Sequence, residues 1–206
     1  ASGFQGIFLI ATNPVDIMTR ITCHLSGFPK ERVIGSGTAL DTARLRYLLG
    51  QYFQVDPRNV HAYVIGEHGD SEFVPWSQAL LATKPVLQIC EESGGSLDFK
   101  TLEQISDDVR NAAYKIIDAK KATYYGIGMA LTRITRAILG GENSILTVSA
   151  CLDGDYGQEP VFVGVPCILN QSGVRRILHL NLTPEEMEKF SDSCATLRKS
   201  FDELQL

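Results

Sequence analysis

The order of apolar runs and helical stripes along the chain predicts most of its elements. "GIFLIAT" (6–12) is a short continuous apolar run, as expected of a strand covered on both faces in a parallel sheet. "NPVDIMTRITCHLSG" then predicts a helix. Pro14 fits its first turn, Ile17, Met18, Ile21 and Leu25 form the stripe, and Gly27 lies just past the end. "RVIGSG" (32–37) predicts a second strand, which makes residues 6–37 a strand–helix–strand crossover. Residues 38–55 predict another helix, with Leu45, Leu48, Leu49, Tyr52 and Phe53 on one side. Ala62 to Ile65 predicts a buried strand. From 101 to 139 a 3.6-residue period marks two helical segments, one through Ile105, Val109, Ala113 and Ile116, the other through Ile127, Leu131, Ile134 and Ile138, with "KKATYYG" at their junction.

The tail is patterned differently. "SILTVSACLDG" alternates, with Leu146, Val148, Ala150 and Leu152 on one face, and ends in a D-G turn. "PVFVGVPCIL" and "VRRILHLNL" predict two further strands about the "NQSG" turn, hence an antiparallel meander. Thr183, Pro184 and Glu186 then form the capping box of a last helix buried through Met187, Phe190, Cys194, Leu197 and Phe201. The order is α/β at the start and α+β afterwards, with a boundary placed between 1–37 and 38–206.

Composition narrows the function classes. The 206 residues are 44% apolar and 21% charged, ordinary for a globular chain, and the net charge of −5 argues against nucleic acid or an anionic membrane as partner. No apolar run is long enough to span a bilayer, and the first residues show no basic-then-apolar leader pattern. Five cysteines (23, 90, 151, 167 and 194) at wide spacing, without a C-x-x-C pair, suggest free thiols in a reducing cytoplasmic setting.

The chemistry concentrates in "HAYVIGEHGDSE" (61–72), where a histidine flanked by acids follows an apolar run. On the helix from 38, Asp41 and Arg44 share a face that Leu45 and Leu48 continue, and charge on an apolar face needs a partner. An internal ion pair is one explanation. In the other, Asp41 meets a basic partner such as His68, while Arg44 faces an anion. A carboxylate on one imidazole nitrogen orients the ring and frees the other nitrogen to exchange a proton. An arginine can grip a substrate carboxylate through two parallel bonds. Together these describe a site for a small acid carrying a hydroxyl or carbonyl beside its carboxylate. Arg46, about 200° around the helix from Arg44, points to another surface.

Five segments carry a resemblance: "ATNPVD", "GSGTALDTARLR", "VHAYVIGEHGDSE", "ATYYGIG" and "ILTVSA". In this order, over nearly all of the chain, they resemble the L-lactate dehydrogenase family in its bacterial, fructose 1,6-bisphosphate-activated form. The resemblance implies an α/β remnant of a Rossmann sheet followed by an α+β substrate domain, and NAD-dependent interconversion of L-lactate and pyruvate. It implies His68 as proton donor and acceptor with Asp41 as its orienting partner, and Arg44 as the grip on the substrate carboxylate. Asn13 would contact substrate and the nicotinamide end of NAD, with a cis Asn13–Pro14 bond, and Thr123 would line the substrate pocket. Arg46 and His61 would bind fructose 1,6-bisphosphate, and the parent enzyme would be a cytoplasmic homo-tetramer.

The departure from the family is equally plain. A dinucleotide fold needs a G-x-G-x-x-G turn after its first strand. Neither "GSGTAL" nor "YGIGMAL" supplies it, so the chain reads as a C-terminal portion lacking most of the NAD-binding domain, and on its own as inactive. Malate dehydrogenase is the neighbouring alternative, since it shares the Asp, Arg and His logic. A metal hydrolase using Glu67, His68 and Asp70 lacks H-E-x-x-H spacing, and no metal is expected. A non-catalytic oligomerisation domain remains the alternative for the isolated chain.

Overall fold

A computed structural model describes residues 3–94, 98–121 and 123–205. The apolar run at the start gives strand β1 (Phe8–Ile10), and the Asn13–Pro14 peptide that follows is cis. Helix α1 (Val15–Ser26) ends at Gly27, whose φ of +64° is the left-handed value a helix terminus favours in glycine. Strand β2 (Val33–Gly35) pairs parallel to β1, completing the expected crossover. Helix α2 (Ala39–Phe53) buries Leu45 and Leu49 completely, with Leu48, Tyr52 and Phe53 half-buried at its side.

The expected strand at Ala62–Ile65 is a correction. The regular strand β3 is only Val60–His61, paired with β4 (Leu80–Leu81), which in turn pairs with β5 (Lys84–Pro85). Ala62 and Val64 are buried and Tyr63 half-buried, yet the Ala62 carbonyl and both backbone groups of Val64 are claimed by side chains of α2 and the turn before it. Val64 N–H donates to Thr42 Oγ1 at 2.9 Å, its carbonyl accepts from Thr38 Oγ1 at 2.7 Å, and the Ala62 carbonyl accepts from Arg46 Nε at 3.0 Å. With donors and acceptors already satisfied there, no ladder forms.

Helices α3 (Val86–Glu92), α4 (Phe99–Arg110), α5 (Ala112–Lys120) and α6 (Tyr125–Leu139) follow. The first expected helical segment is thus broken in two. Asn111 Nδ2 donates to the Asp107 carbonyl at 2.9 Å, a side-chain bond that competes with continuing the helix. Of the junction motif, Ala122 lies outside the described residues.

Strands β6 (Ser144–Leu152), β7 (Val161–Asn170) and β8 (Gly173–Ile177) form the expected meander, in register from Ser144↔Leu169 to Leu152↔Val161. Gly35↔Ser149 joins β2 to β6, so the order of the five-stranded sheet is β1-β2-β6-β7-β8. The strands assigned to 1–37 therefore extend the sheet built from 38–206. On β6, Thr147 and Ser149 are buried as well as Val148 and Ala150, and Thr147 Oγ1 is held by Thr42 at 2.8 Å. By contrast β1, at the sheet edge, is only half-buried, short of the two-sided cover expected of it.

Helix α7 (Pro184–Asp202) starts with the expected capping box: Thr183 Oγ1 accepts from Glu186 N–H at 3.2 Å and Glu186 accepts from Thr183 N–H at 3.0 Å. Its stripe of Phe190, Cys194, Leu197 and Phe201 joins Ile17, Ile134 and the inward residues of β7 in one core. A second core gathers Leu45 and Leu49 with Val60, Val74, Trp76, Val86, Leu102, Ile105 and Val109. Among the described residues no helix is long and apolar enough to cross a membrane.

Candidate active site

The loop that carries His68 leaves the sheet at a demanding corner. Gly66 bridges to Gly164 with a φ of +97°, and a β-carbon there would stand 2.9 Å from Ser193 Oγ. Glycine meets both requirements at once. Beyond it the loop is pinned from two helices. Glu67 N–H donates to Ser193 Oγ of α7 at 2.7 Å, and His68 N–H donates to Asp16 Oδ2 of α1 at 2.8 Å. Ser71 Oγ lies 2.9 Å from Ser193 Oγ and donates to Glu67 Oε2 at 2.5 Å.

The imidazole so placed meets α2. His68 Nδ1 lies 2.7 Å from Asp41 Oδ2, and Arg44 donates to Asp41 Oδ1 at 3.1 Å. Both readings of Asp41 therefore hold at once: its two oxygens serve the internal pair and the histidine. The Asp41 side chain is 3% exposed while that of His68 is 24% exposed, so the carboxylate is sealed and the ring keeps an open side. Burial disfavours the imidazolium, but the hydrogen bond from Asp41 and the charges of Asp41 and Glu72 outweigh it, and the pKa of His68 is raised well above the ordinary histidine value. Glu72 Oε2 stands 3.8 Å from the same nitrogen, an ion-pair distance too long for a hydrogen bond. The ligand atoms of Asp41, His68 and Glu72 lie within 4.8 Å of one another, a spacing that a cation could bridge. The trio of the metal reading does not converge in this way, because Glu67 turns to Ser71 and Asp70 is exposed beside Tyr114.

Asn13 is exposed at the C-terminal end of β1, three residues before Asp16, so the helix that follows it also holds the His68 amide. Crevices at the carboxyl ends of parallel strands are usual ligand positions. Thr123 is half-buried between α5 and α6. Among the described residues no hydrogen bond ties Asn13 or Thr123 to the Asp41–His68 pair. On the far side of α2, Arg46 is half-buried, donating to Ala62 and lying 5.0 Å over the Tyr63 ring, while His61 is exposed on β3. The structure thus unites Asp41, Arg44 and His68 and sets Arg46 and His61 apart from them.

Sequence reasoning passed over Asp16, Glu72 and Ser193. Asp16 has the position of an ordinary first-turn acid at a helix N-terminus, and Ser193 lies unobtrusively within an apolar stripe. Only the fold reveals that both are buried against the His68 loop. Burial raises the Asp16 carboxyl to about 6, the Ser149 hydroxyl and the His68 amide opposing the rise.

For a dinucleotide, the donor set here fits one end only. Asn13 offers an exposed side-chain amide beyond the end of β1, whereas the glycines of "GSGTAL" are absorbed by packing. A β-carbon at Gly37 would stand 2.3 Å from Ser149 N, and one at Gly35 2.4 Å from Thr19 Oγ1. Gly126 and Gly128 lie inside α6. Among the described residues nothing forms a pyrophosphate-binding turn.

Comparison with known proteins bears on the whole arrangement. Residues 38–205 match the lactate/malate dehydrogenase, alpha/beta C-terminal domain. The chain is 57% identical over 198 residues to the L-lactate dehydrogenase of Geobacillus stearothermophilus, covering 96% of this chain and 62% of that protein. With L-lactate dehydrogenase 2 of Bacillus anthracis it shares 55% identity over 97% of its own length and 63% of the relative's. The crystal structure of the minor L-lactate dehydrogenase from Enterococcus mundtii in its ligands-bound form superposes with a TM-score of 0.96 at 49% identity, over 100% of this chain and 65% of that one. The chain thus spans less than two thirds of the length of these relatives, and by the extent of the match it belongs to the lactate/malate dehydrogenase family.

Proposed function

We propose that this chain carries the substrate half of an NAD-dependent L-lactate dehydrogenase, interconverting L-lactate and pyruvate. The observation that carries the reading is the 2.7 Å contact of His68 Nδ1 with buried Asp41, beside Arg44. Asp41 fixes the ring and favours the imidazolium, so Nε2 presents a proton to the C2 oxygen of pyruvate and takes it back from the hydroxyl of lactate. Arg44 keeps guanidinium N–H groups free of Asp41 to bind the carboxylate of the substrate. Asn13 orients the substrate carbonyl from the β1 end, and Thr123 lines the pocket from the α6 side. When bound, NAD supplies or accepts the hydride at C2.

The same reading makes Arg46 and His61 a cationic corner for the phosphates of fructose 1,6-bisphosphate, in a cytoplasmic homo-oligomer, tetrameric as the family resemblance implies. The test is NADH oxidation with pyruvate, with and without fructose 1,6-bisphosphate, by the full protein beside the 206-residue chain. Turnover by the full protein alone, raised by fructose 1,6-bisphosphate, is expected. A strong preference for oxaloacetate would move the assignment to malate, and turnover by the short chain would overturn the account of where NAD binds. Unchanged pyruvate affinity and subunit association on adding fructose 1,6-bisphosphate would remove the effector role of Arg46 and His61.

A further inference from the structure

The motif "GEHGDSE" ends in a residue to which the proton relay assigns no task. Glu72 is 4% exposed, a buried acid on the loop that carries His68. Its main chain is fixed at both ends: its N–H donates to the Gly69 carbonyl at 3.3 Å, and its carbonyl accepts from the Arg110 guanidinium at 3.2 Å. Held this way, its carboxylate faces His68 Nδ1 at 3.8 Å, the same nitrogen that Asp41 holds at 2.7 Å. A buried carboxylate is costly unless a positive charge answers it. Two positive charges are within reach, the imidazolium that its carboxylate faces and the Arg110 guanidinium bonded to its main chain.

We propose that Glu72 is a positioning residue for His68, a second carboxylate behind the ring that shares the imidazolium charge with Asp41 and keeps the ring loaded with its proton. This deepens the dehydrogenase reading and rests on it for its kinetic consequence, though not for its effect on His68 itself. The two acids divide the labour. Asp41 holds the hydrogen bond that orients the ring, and Glu72, too distant for one, acts through charge alone. Around them stand Arg44 from α2, Arg110 from α4 and Asp16 from α1, with Glu67 and Asp70 on the loop itself. Burial, with the nearby charge of Asp41, pushes the Glu72 carboxyl above its ordinary range, against the opposing pull of His68 and Arg110. The cluster can therefore hold a proton on either side of the pair.

A residue acting this way has opposite effects on the two directions of the reaction. Pyruvate reduction needs His68 protonated, and lactate oxidation needs it neutral. Removing the Glu72 charge lowers the pH at which the ring loses its proton, so the reductive limb collapses at lower pH while the oxidative limb rises at lower pH. A merely structural role would depress both directions together at every pH.

The experiment compares Glu72→Gln, which keeps shape and removes charge, with Glu72→Asp and with Asp41→Asn in the full protein. Titration of the His68 ring by NMR with labelled histidine reads the proposal without requiring turnover. The expected result is a midpoint about one pH unit lower in Glu72→Gln. Beside it, kcat/KM for pyruvate should fall roughly tenfold above the parent's midpoint and change little well below it. Glu72→Asp should recover part of the loss. An unchanged His68 midpoint in folded Glu72→Gln, with Asp41→Asn moving it, overturns the proposal. If Glu72→Gln does not fold, an unshifted midpoint in Glu72→Asp does so equally. A shifted midpoint in a protein that does not reduce pyruvate would uphold the pairing and sink the dehydrogenase reading instead.

Discussion

Around His68 charges are packed against charges, whereas along α6 large apolar side chains face outward. Asp41 is shared between Arg44 and His68, the loop amides end on Asp16 and Ser193, and the side chains involved are mostly sealed. On α6, Tyr125 is 86% exposed, Met129 70% and Leu139 74%. The first region is largely self-consistent: Asp41 is answered on both oxygens and the loop amides of Glu67 and His68 are bonded, while Asp16 keeps one buried oxygen unpartnered. The second exposes the kind of surface that stable folded proteins usually cover. The contrast sets a cluster of polar groups that answer one another inside the fold against an apolar helix face with no cover among the described residues.

Three changes would break or sharpen the contrast. The largest effect is expected from His68→Gln, which leaves the surrounding contacts but removes the exchangeable proton. In the full protein kcat/KM for pyruvate should fall by roughly 10²–10⁴-fold, with some loss of thermal stability because buried Asp41 and Glu72 lose the charge that answers them. A fall of less than about fivefold would mean that the pocket is a structural ion cluster and nothing more.

Next comes Asp16→Asn, which tests how completely the polar region answers its own charges. Burial holds the folded carboxyl up at about 6, above the ordinary aspartate range, so the native state binds its proton more tightly than the unfolded state. A raised acid favours folding at low pH. That advantage is lost as pH climbs from the unfolded value through the folded one, and above it the ionised group costs about 3 kcal/mol. An asparagine still accepts from the His68 amide and does not ionise. Urea unfolding should show the variant equal to the parent near pH 4 and progressively more stable by pH 7. A difference that does not vary with pH would contradict the buried-carboxylate account.

The smallest stability effect belongs to the apolar region. Tyr125→Ser combined with Met129→Ser should change the folding free energy of a single chain by no more than about 0.5 kcal/mol, since neither side chain is buried there. Sedimentation should nevertheless show weaker self-association of the full protein. Unaltered association would mean that α6 is not part of an interface between copies.

Much of the fold was legible because its signals are local. The α7 capping box, the Gly27 terminus of α1 and the β6–β7–β8 meander each depend on residues close in sequence, and each formed as expected. The expected strand at 62–65 failed for a nonlocal reason. Its apolar residues are buried as their pattern requires, but Thr38, Thr42 and Arg46 occupy the backbone groups that a neighbouring strand would need. The site divides in the same way. Asp41, Arg44 and His68 were suggested by residue type and helical spacing, since charge on an apolar helix face is conspicuous. Asp16, Glu72 and Ser193 were not, because an acid in a first helical turn and a serine among hydrophobes are unremarkable until the chain is folded around them.

The sequence by itself determined the helical and strand periods, the capping and turn chemistry, and the reservoir of groups able to move a proton, because these follow from side-chain type and spacing along a few residues. Only the tertiary structure decided which groups meet. Bringing α1, α2, α7 and the 66–72 loop to one point sets Asp16, Asp41 and Glu72 against His68, and Ser193 against Glu67 across 126 positions of sequence. Burial there removes the solvent that would screen their charges, and proximity, not sequence, sets which of them hold a proton.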